Sequence, residues 1–177
     1  QIGCYGSDID TPNIDALAAG GVQFTNFHVT PLCSPTRASL LTGRSQHAVG
    51  MRTLSNFRTG FPNQLGHISN HAATVAEVLG DAGYATFALG KWHLAPRDRQ
   101  APFVGEIHAK TPVPPERRGG FELWEGLEGG FLLNDPWLQG TRLAKPTHFK
   151  GYQADILAQR AGAWTQEQAA RRESGGK

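Results

Sequence analysis

The chain has 177 residues, 39% of them hydrophobic, and a formal net charge of +2 at pH 7. This length allows one domain with a substantial core and is too short for two domains of ordinary size. Lysine and arginine are scattered rather than gathered into a basic stripe, which argues against a nucleic-acid-binding protein. No stretch of the sequence approaches the roughly 20 apolar residues of a membrane-spanning helix.

The first predicted helix follows a short glycine-rich segment. Residues 11–21 contain a proline at the second position, apolar Ile14, Leu17 and Ala18 at helical spacing, and two glycines at the end. Proline at the first turn and glycine after the last turn are typical of helix boundaries. The next residues, 22–27, alternate between apolar and polar side chains, which predicts a strand.

A second, more informative helix is predicted within residues 32–44, whose sequence is LCSPTRASLLTGR. Pro35 fits the first helical turn, Ser34 or Thr36 can cap the free amide groups, and Gly43 ends the helix. Cys33 therefore lies immediately before the helix start. The helix dipole and unpaired amide groups there favour a bound anion and an ionised or polarised sulfur.

The same residues carry a family resemblance. The run CSPTRASLLTGR resembles the signature of the sulfatases, in which a cysteine in a C-x-P-x-R context is oxidised after translation to Cα-formylglycine. The upstream run TPNIDALAAGGVQFTNFH extends the resemblance to the arylsulfatase type, within the alkaline-phosphatase-like superfamily. Outside such a context, a lone cysteine is more often a small buried hydrophobe. A disulfide between Cys4 and Cys33 is possible in principle and would block this chemistry.

A helix followed by a buried strand is predicted further along the chain. Residues 72–83 have an amphipathic helical pattern closed by glycine, and residues 84–89 form a short apolar strand, as in the repeating unit of a parallel α/β sheet. The sequence GKWHL follows at the carboxyl end of this strand, where ligands bind in open α/β sheets. In an extended segment, Lys91 and His93 project to the same side. GKWHL is also similar to a second sulfatase element.

The remaining segments are less informative. Residues 45–69 predict a long irregular loop, residues 95–120 a surface excursion, and residues 151–163 a helix packed on the sheet. The run RGGFELWEGL at residues 118–127 resembles a sulfatase segment that walls the substrate cleft. Residues 166–177 are polar and predict a frayed tail. We therefore expect residues 1–165 to be an incomplete, N-terminal part of a sulfatase catalytic domain.

The resemblance implies an α/β chain with a partial alkaline-phosphatase-like fold, its mostly parallel sheet flanked by helices. It also implies a sulfuric ester hydrolase that acts on small-molecule sulfate esters after a formylglycine-generating enzyme has converted Cys33. By the same resemblance, Arg37 orients and neutralises the formylglycine hydrate and Lys91 binds sulfate oxygens. His93 bonds the formylglycine hydroxyl and assists proton transfer, and Ca²⁺ bridges the formylglycine at position 33 and the sulfate.

Several family features have no convincing counterpart in the chain. The Asp-Asp pair upstream, the later Asp-Asn pair, a further lysine and an H-x-P histidine are absent, so Cys33 is the one metal-ligand position recognised. The resemblance thus predicts a fragment that is inactive or weakly active alone. Two alternatives stay open: a phosphonate or phosphate ester hydrolase of the same superfamily, and a non-catalytic anion-binding remnant. Cysteine-dependent phosphatases use C-x₅-R, whereas Cys33 and Arg37 form C-x₃-R.

Overall fold

Five helices and four strands make up the regular structure of the described residues, which in this computed structural model are 2–57, 59–96, 105–130 and 132–174. The helices are α1 (Pro12–Ala19), α2 (Cys33–Thr42), α3 (Val75–Asp81), α4 (Glu106–Ala109) and α5 (Gln153–Glu173). The strands are β1 (Phe87–Lys91), β2 (Leu123–Leu127), β3 (Trp137–Gly140) and β4 (Leu143–His148). Short 3₁₀ turns cover Gly3–Tyr5 and Pro115–Arg117.

The four strands form one open sheet in the order β1-β2-β3-β4. Strands β1 and β2 are parallel, with Phe87 opposite Leu123 and Lys91 opposite Leu127, whereas the two other neighbouring pairs are antiparallel. The predicted α/β class, with a sheet flanked by helices, is confirmed. The sheet described here is however mixed rather than mostly parallel. The reason is that β2, β3 and β4 follow one another through short connections, which suit antiparallel neighbours, while parallel neighbours need a long crossover.

Helices pack on both faces of the sheet. Successive residues of a strand point to opposite faces, so Trp124 and Leu127 of β2 face opposite ways. Trp124 lies in an apolar cluster with Ala38 of α2, and Leu127 lies in a second cluster with Ile156 of α5. Helix α2, which begins at the cysteine of the signature, is thereby fixed on one face of the sheet and α5 on the other.

Local sequence signals explain the ends of the helices. Gly43 follows α2 in the left-handed conformation, with φ of +64°, and its N–H donates to Ser39 O. Thr74 precedes α3 and forms a reciprocal capping box with Glu77: the Thr74 N–H donates to Glu77 Oε2 and the Glu77 N–H to Thr74 Oγ1. Both arrangements satisfy backbone groups that a helix end leaves unpaired.

Three local predictions differ from the structure. Residues 22–27 form no strand, because within the described ranges no other strand runs beside them and their side chains are exposed. Residues 95–120 were predicted to be a surface excursion, but His108, Ala109 and Val113 of this segment are buried. Residues 97–104 of the same segment lie outside the described residues. The tail predicted to fray from residue 166 instead continues α5 as far as Glu173, and Glu167 in this part of the helix pairs with Arg142.

One absence concerns the membrane. Among the described residues, no helix combines the length and the apolar composition needed to cross a bilayer.

Two glycine substitutions test the close contact between β1 and β2. A Cβ atom at Gly126 would overlap the carbonyl oxygen of Gly90 on the neighbouring strand, whereas a Cβ at Gly162 in α5 meets nothing within 4 Å. We expect Gly126→Ala to lower the free energy of unfolding by about 1–3 kcal/mol through overpacking. The control Gly162→Ala should raise it by about 0.5–1 kcal/mol, because alanine is the better helix former. Urea denaturation followed by circular dichroism measures both, and equal effects would contradict the contact.

Candidate active site

The first residue of α2 is Cys33 itself, whereas the sequence predicted that Cys33 lies immediately before the helix. Leu32 precedes the helix in an extended conformation, and its carbonyl oxygen accepts the first helical hydrogen bond from the Thr36 N–H at 3.2 Å. Cys33 is therefore within the first turn, at the positive end of the helix dipole. Its side chain is half-buried and its thiol is free, as is that of Cys4, so no disulfide joins the two.

The two expected capping residues make other contacts. Ser34 is fully buried, and its Oγ accepts a hydrogen bond from the Ser55 N–H at 3.1 Å. The Thr36 Oγ1 donates to the Thr30 carbonyl oxygen at 2.8 Å. No side chain of the described residues caps the α2 N-terminus. The prediction of a side-chain cap was therefore wrong, because tertiary contacts with the loops on either side take both hydroxyls.

The centre of the site is a contact between Cys33 and His93. Cys33 Sγ lies 3.0 Å from His93 Nδ1, a hydrogen-bonding distance for sulfur and nitrogen, although the two residues are 60 positions apart in the chain. Which atom donates depends on the tautomer of the ring. His93 is 5% exposed, so the imidazole is held against position 33 in a largely enclosed place.

The turn after β1 explains how His93 reaches this position. Strand β1 ends at Lys91, and His93 has a φ of +56°, in the left-handed region that residues other than glycine seldom adopt. The extended segment assumed for Lys91 and His93 is thus interrupted, and simple alternation does not set their directions. The residues before and after His93 in the chain, Trp92 and Leu94, are buried in the apolar cluster that also holds Ala38 of α2.

Arg37 connects α2 to the end of β1. Its Nη1 donates a hydrogen bond to the Lys91 carbonyl oxygen at 2.7 Å, so the guanidinium lies beside the last residue of β1. Burial lowers the pKa of Arg37, and the nearby Cys33 and Glu128 oppose that shift. An arginine side chain stays protonated at neutral pH, so this is a fixed positive charge. The structure therefore brings Arg37 close to the main chain of Lys91 and to Cys33.

Glu128 is a member of this region that the sequence interpretation missed. Its carboxyl is 1% exposed; Oε1 accepts from Ser55 Oγ and from the Ala95 N–H, each at 3.1 Å, and Oε2 accepts from the Leu94 N–H at 3.3 Å. Burial raises the pKa of Glu128 from 4.5 to about 8, although these hydrogen bonds lower it in part. The available signal was the position of this glutamate directly after a predominantly apolar strand. A glutamate that is buried at such a place needs hydrogen-bond partners, which marks it as a candidate for a site.

The described residues do not fit a divalent cation. They contain no group of three or more histidine, cysteine, aspartate or glutamate side chains that could hold a metal ion. The carboxyl of Glu128, which lies behind the site, already accepts hydrogen bonds from Ser55, Leu94 and Ala95. A hard cation such as Ca²⁺ needs six or more oxygen ligands, so Cys33 alone does not make the expected metal site.

Comparison with known proteins identifies the family. The Sulfatase family model matches residues 1–172 of the chain. The chain belongs to the sulfatase family.

Curated relatives agree with this assignment. Human arylsulfatase A is 47% identical over 96 residues, which are 53% of this chain and 18% of that protein. Human steryl-sulfatase is 46% identical over 97 residues, covering 52% of this chain and 16% of that protein. The ulvan-active sulfatase of Formosa agariphila is 39% identical over 122 residues, covering 68% of this chain and 20% of that protein.

Solved structures show the same fold. The structure of yidJ from Bacteroides fragilis, which is assigned to the sulfatases, has a TM-score of 0.76 and 27% identity, and the match covers 96% of this chain and 38% of that chain. A protein solved in complex with its substrate, D-glucosamine-2-N,6-O-disulfate, has a TM-score of 0.63 and 28% identity, and the match covers 93% of this chain and 28% of that one. The chain thus spans well under half the length of its relatives.

The raised pKa of Glu128 predicts how stability depends on pH. Between pH 4.5 and about 8, the folded protein holds a proton on this carboxyl that the unfolded chain has lost, so the free energy of unfolding falls as pH rises through this range. Glu128→Gln removes that titration. We expect a flatter pH dependence for the variant than for the wild type, measured by urea denaturation at several pH values. Parallel curves for the two proteins would contradict the assignment.

Proposed function

We propose that this chain provides the nucleophile part of a sulfatase active site, in which Cys33 is converted to formylglycine and sulfate monoesters are hydrolysed. The observation that supports this most directly is the 3.0 Å contact between Cys33 Sγ and His93 Nδ1 at the start of α2. It joins the C-x-P-x-R element to the GKWHL element, which are far apart in sequence. Membership of the sulfatase family supports the same reaction class.

The proposed roles combine the family resemblance with the observed contacts of Cys33, His93 and Arg37. A hydrated formylglycine supplies one hydroxyl to attack sulfur, which breaks the ester S–O bond and releases the alcohol, and a second hydroxyl whose collapse to the aldehyde releases sulfate. His93 lies within hydrogen-bonding reach of position 33 and is suited to hold or move a proton of that residue. Arg37 supplies a fixed positive charge beside it, and Lys91 is proposed to bind sulfate oxygens with its ammonium group.

The chemistry of the site favours an anionic tetrahedral substrate. The positive end of the α2 dipole and the Arg37 guanidinium stabilise negative charge at position 33, and Lys91 is proposed to add its ammonium group there. One structural neighbour binds a sulfated glucosamine as its substrate. We therefore propose a small-molecule sulfate ester as the substrate class of this chain and a formylglycine-generating enzyme as the partner that converts Cys33.

The proposal of a Ca²⁺ ion rests on the family resemblance alone. Ca²⁺, implied by the family resemblance, would supply charge stabilisation at the sulfate, but the described residues provide no cluster to hold it. We propose that its further ligands lie outside these residues and assign it no step here. The chain alone should then be inactive or weakly active.

Conversion of Cys33 is the direct test. The chain is coexpressed with a formylglycine-generating enzyme, and the peptide containing residue 33 is analysed by mass spectrometry. We expect a mass loss of about 18 Da, because the thiol loses H₂S and gains oxygen on oxidation to the aldehyde. Cys4 is an internal control, since its sequence context, C-Y-G-S-D, lacks the proline and arginine of the motif.

Variants extend this test. Arg37→Ala and Pro35→Ala disrupt the C-x-P-x-R context and should reduce conversion of Cys33, while Arg44→Ala, beyond the end of α2, should leave it unchanged. An unmodified thiol at Cys33 in the wild type would reject the enzymatic proposal and favour the anion-binding remnant.

Substrate preference separates the sulfatase from its closest alternative. The cationic surroundings of position 33 suit a phosphate or phosphonate ester as well, because these are also tetrahedral anions. The converted chain, supplied with Ca²⁺, is assayed on matched p-nitrophenyl sulfate and p-nitrophenyl phosphate. We expect slow turnover, with a higher rate on the sulfate than on the phosphate. The His93→Ala variant should lose this turnover. Greater turnover on the phosphate would favour the alternative hydrolase.

A further inference from the structure

Glu128 joins three segments behind the candidate active site. It follows the last residue of β2, and its carboxyl accepts hydrogen bonds from two consecutive backbone N–H groups, those of Leu94 and Ala95. The same carboxyl accepts from the Ser55 hydroxyl, while the Ser55 N–H donates to the buried Ser34 hydroxyl in the first turn of α2. A continuous line of hydrogen bonds therefore connects the turn after β1 with the beginning of α2.

The turn that this carboxyl holds is conformationally unfavourable. A left-handed conformation costs a residue other than glycine about 1 kcal/mol or more, so His93, at φ of +56°, must be kept there by its surroundings. The two N–H groups that follow His93 both donate to Glu128. An acceptor at this place stabilises the turn, because the backbone groups would otherwise be buried without partners.

We propose that Glu128 is a positioning residue: its carboxyl holds the left-handed turn at His93 and, through Ser55 and Ser34, ties that turn to α2, so that the imidazole stays against position 33. The relevance of this arrangement to catalysis rests on the proposed sulfatase function, but the arrangement itself does not. A carboxyl suits the place because each of its two oxygens accepts a hydrogen bond. A glutamine would offer one oxygen and an NH₂ group, which cannot accept from a backbone N–H.

A second buried glutamate on the same strand gives a matched control. Glu125 is 2% exposed and pairs with Arg160 of α5. It lies on the face of β2 that carries Leu127, opposite to Trp124, and so away from the apolar cluster around His93. Glu125→Gln therefore removes a buried carboxylate at a comparable depth without touching the line from Glu128 to Ser34.

The test uses nuclear magnetic resonance on the whole chain with Cys33 unconverted. Two quantities are measured: the nuclear Overhauser effect between the His93 ring Hε1 and the Cys33 β-protons, and the rate of amide hydrogen exchange at Leu94 and Ala95. In Glu128→Gln we expect the Overhauser effect to weaken to half or less and exchange at these two amides to accelerate about tenfold, as for the loss of one hydrogen bond. Amides of α5 serve as the reference for global stability.

Each outcome decides the proposal. Unchanged signals in Glu128→Gln, the same changes in Glu125→Gln, or no Overhauser effect in the wild type would overturn it. If Glu128→Gln does not fold, Ser55→Ala decides instead. It removes one hydroxyl from the line and should weaken the Overhauser effect and accelerate exchange at Ala95, and unchanged values would reject the link. Because no readout needs hydrolysis, failure of Cys33 conversion and failure of this positioning role are distinguishable.

Discussion

The candidate site depends on the meeting of Cys33 and His93, which belong to two distant parts of the chain. Helix α2 begins at the cysteine and the turn after β1 presents the imidazole, so each element alone would carry only half of the arrangement. The apolar cluster holds them together, because Ala38 of α2 packs in the same cluster as Trp92 and Leu94, the neighbours of the histidine. The packing of this apolar cluster therefore also fixes the distance between Cys33 and His93.

The charged and polar groups around position 33 lie at two depths. Toward position 33 lie the positive end of the α2 dipole and the Arg37 guanidinium, whose hydrogen bond to the Lys91 carbonyl oxygen fixes it against the strand. Behind them lies the buried carboxyl of Glu128, whose pKa burial raises to about 8. Burial disfavours the charged form of this carboxyl, while its two oxygens accept the hydrogen bonds of the turn.

Much of this could be predicted, for local reasons. Proline and glycine give the boundaries of α1 and α2 within a few residues. The two motifs named Cys33, Arg37, Lys91 and His93, of which the structure brings Cys33 against His93 and Arg37 against the Lys91 main chain. The rest depends on contacts that leave no pattern in the sequence. The left-handed turn at His93 is held by hydrogen bonds from backbone groups to Glu128, and strand pairing beyond β2 depends on which neighbours are available. Residues 22–27 alternate as a strand does, but alternation without a partner strand forms no sheet.

The conformation of His93 has a consequence for how this protein could change. Glycine would relax the backbone at φ of +56°, because it has no Cβ atom to clash in the left-handed region. It would also delete the ring. Position 93 thus accepts backbone strain while it places a buried imidazole against Cys33, and a glycine there would leave a cavity beside position 33.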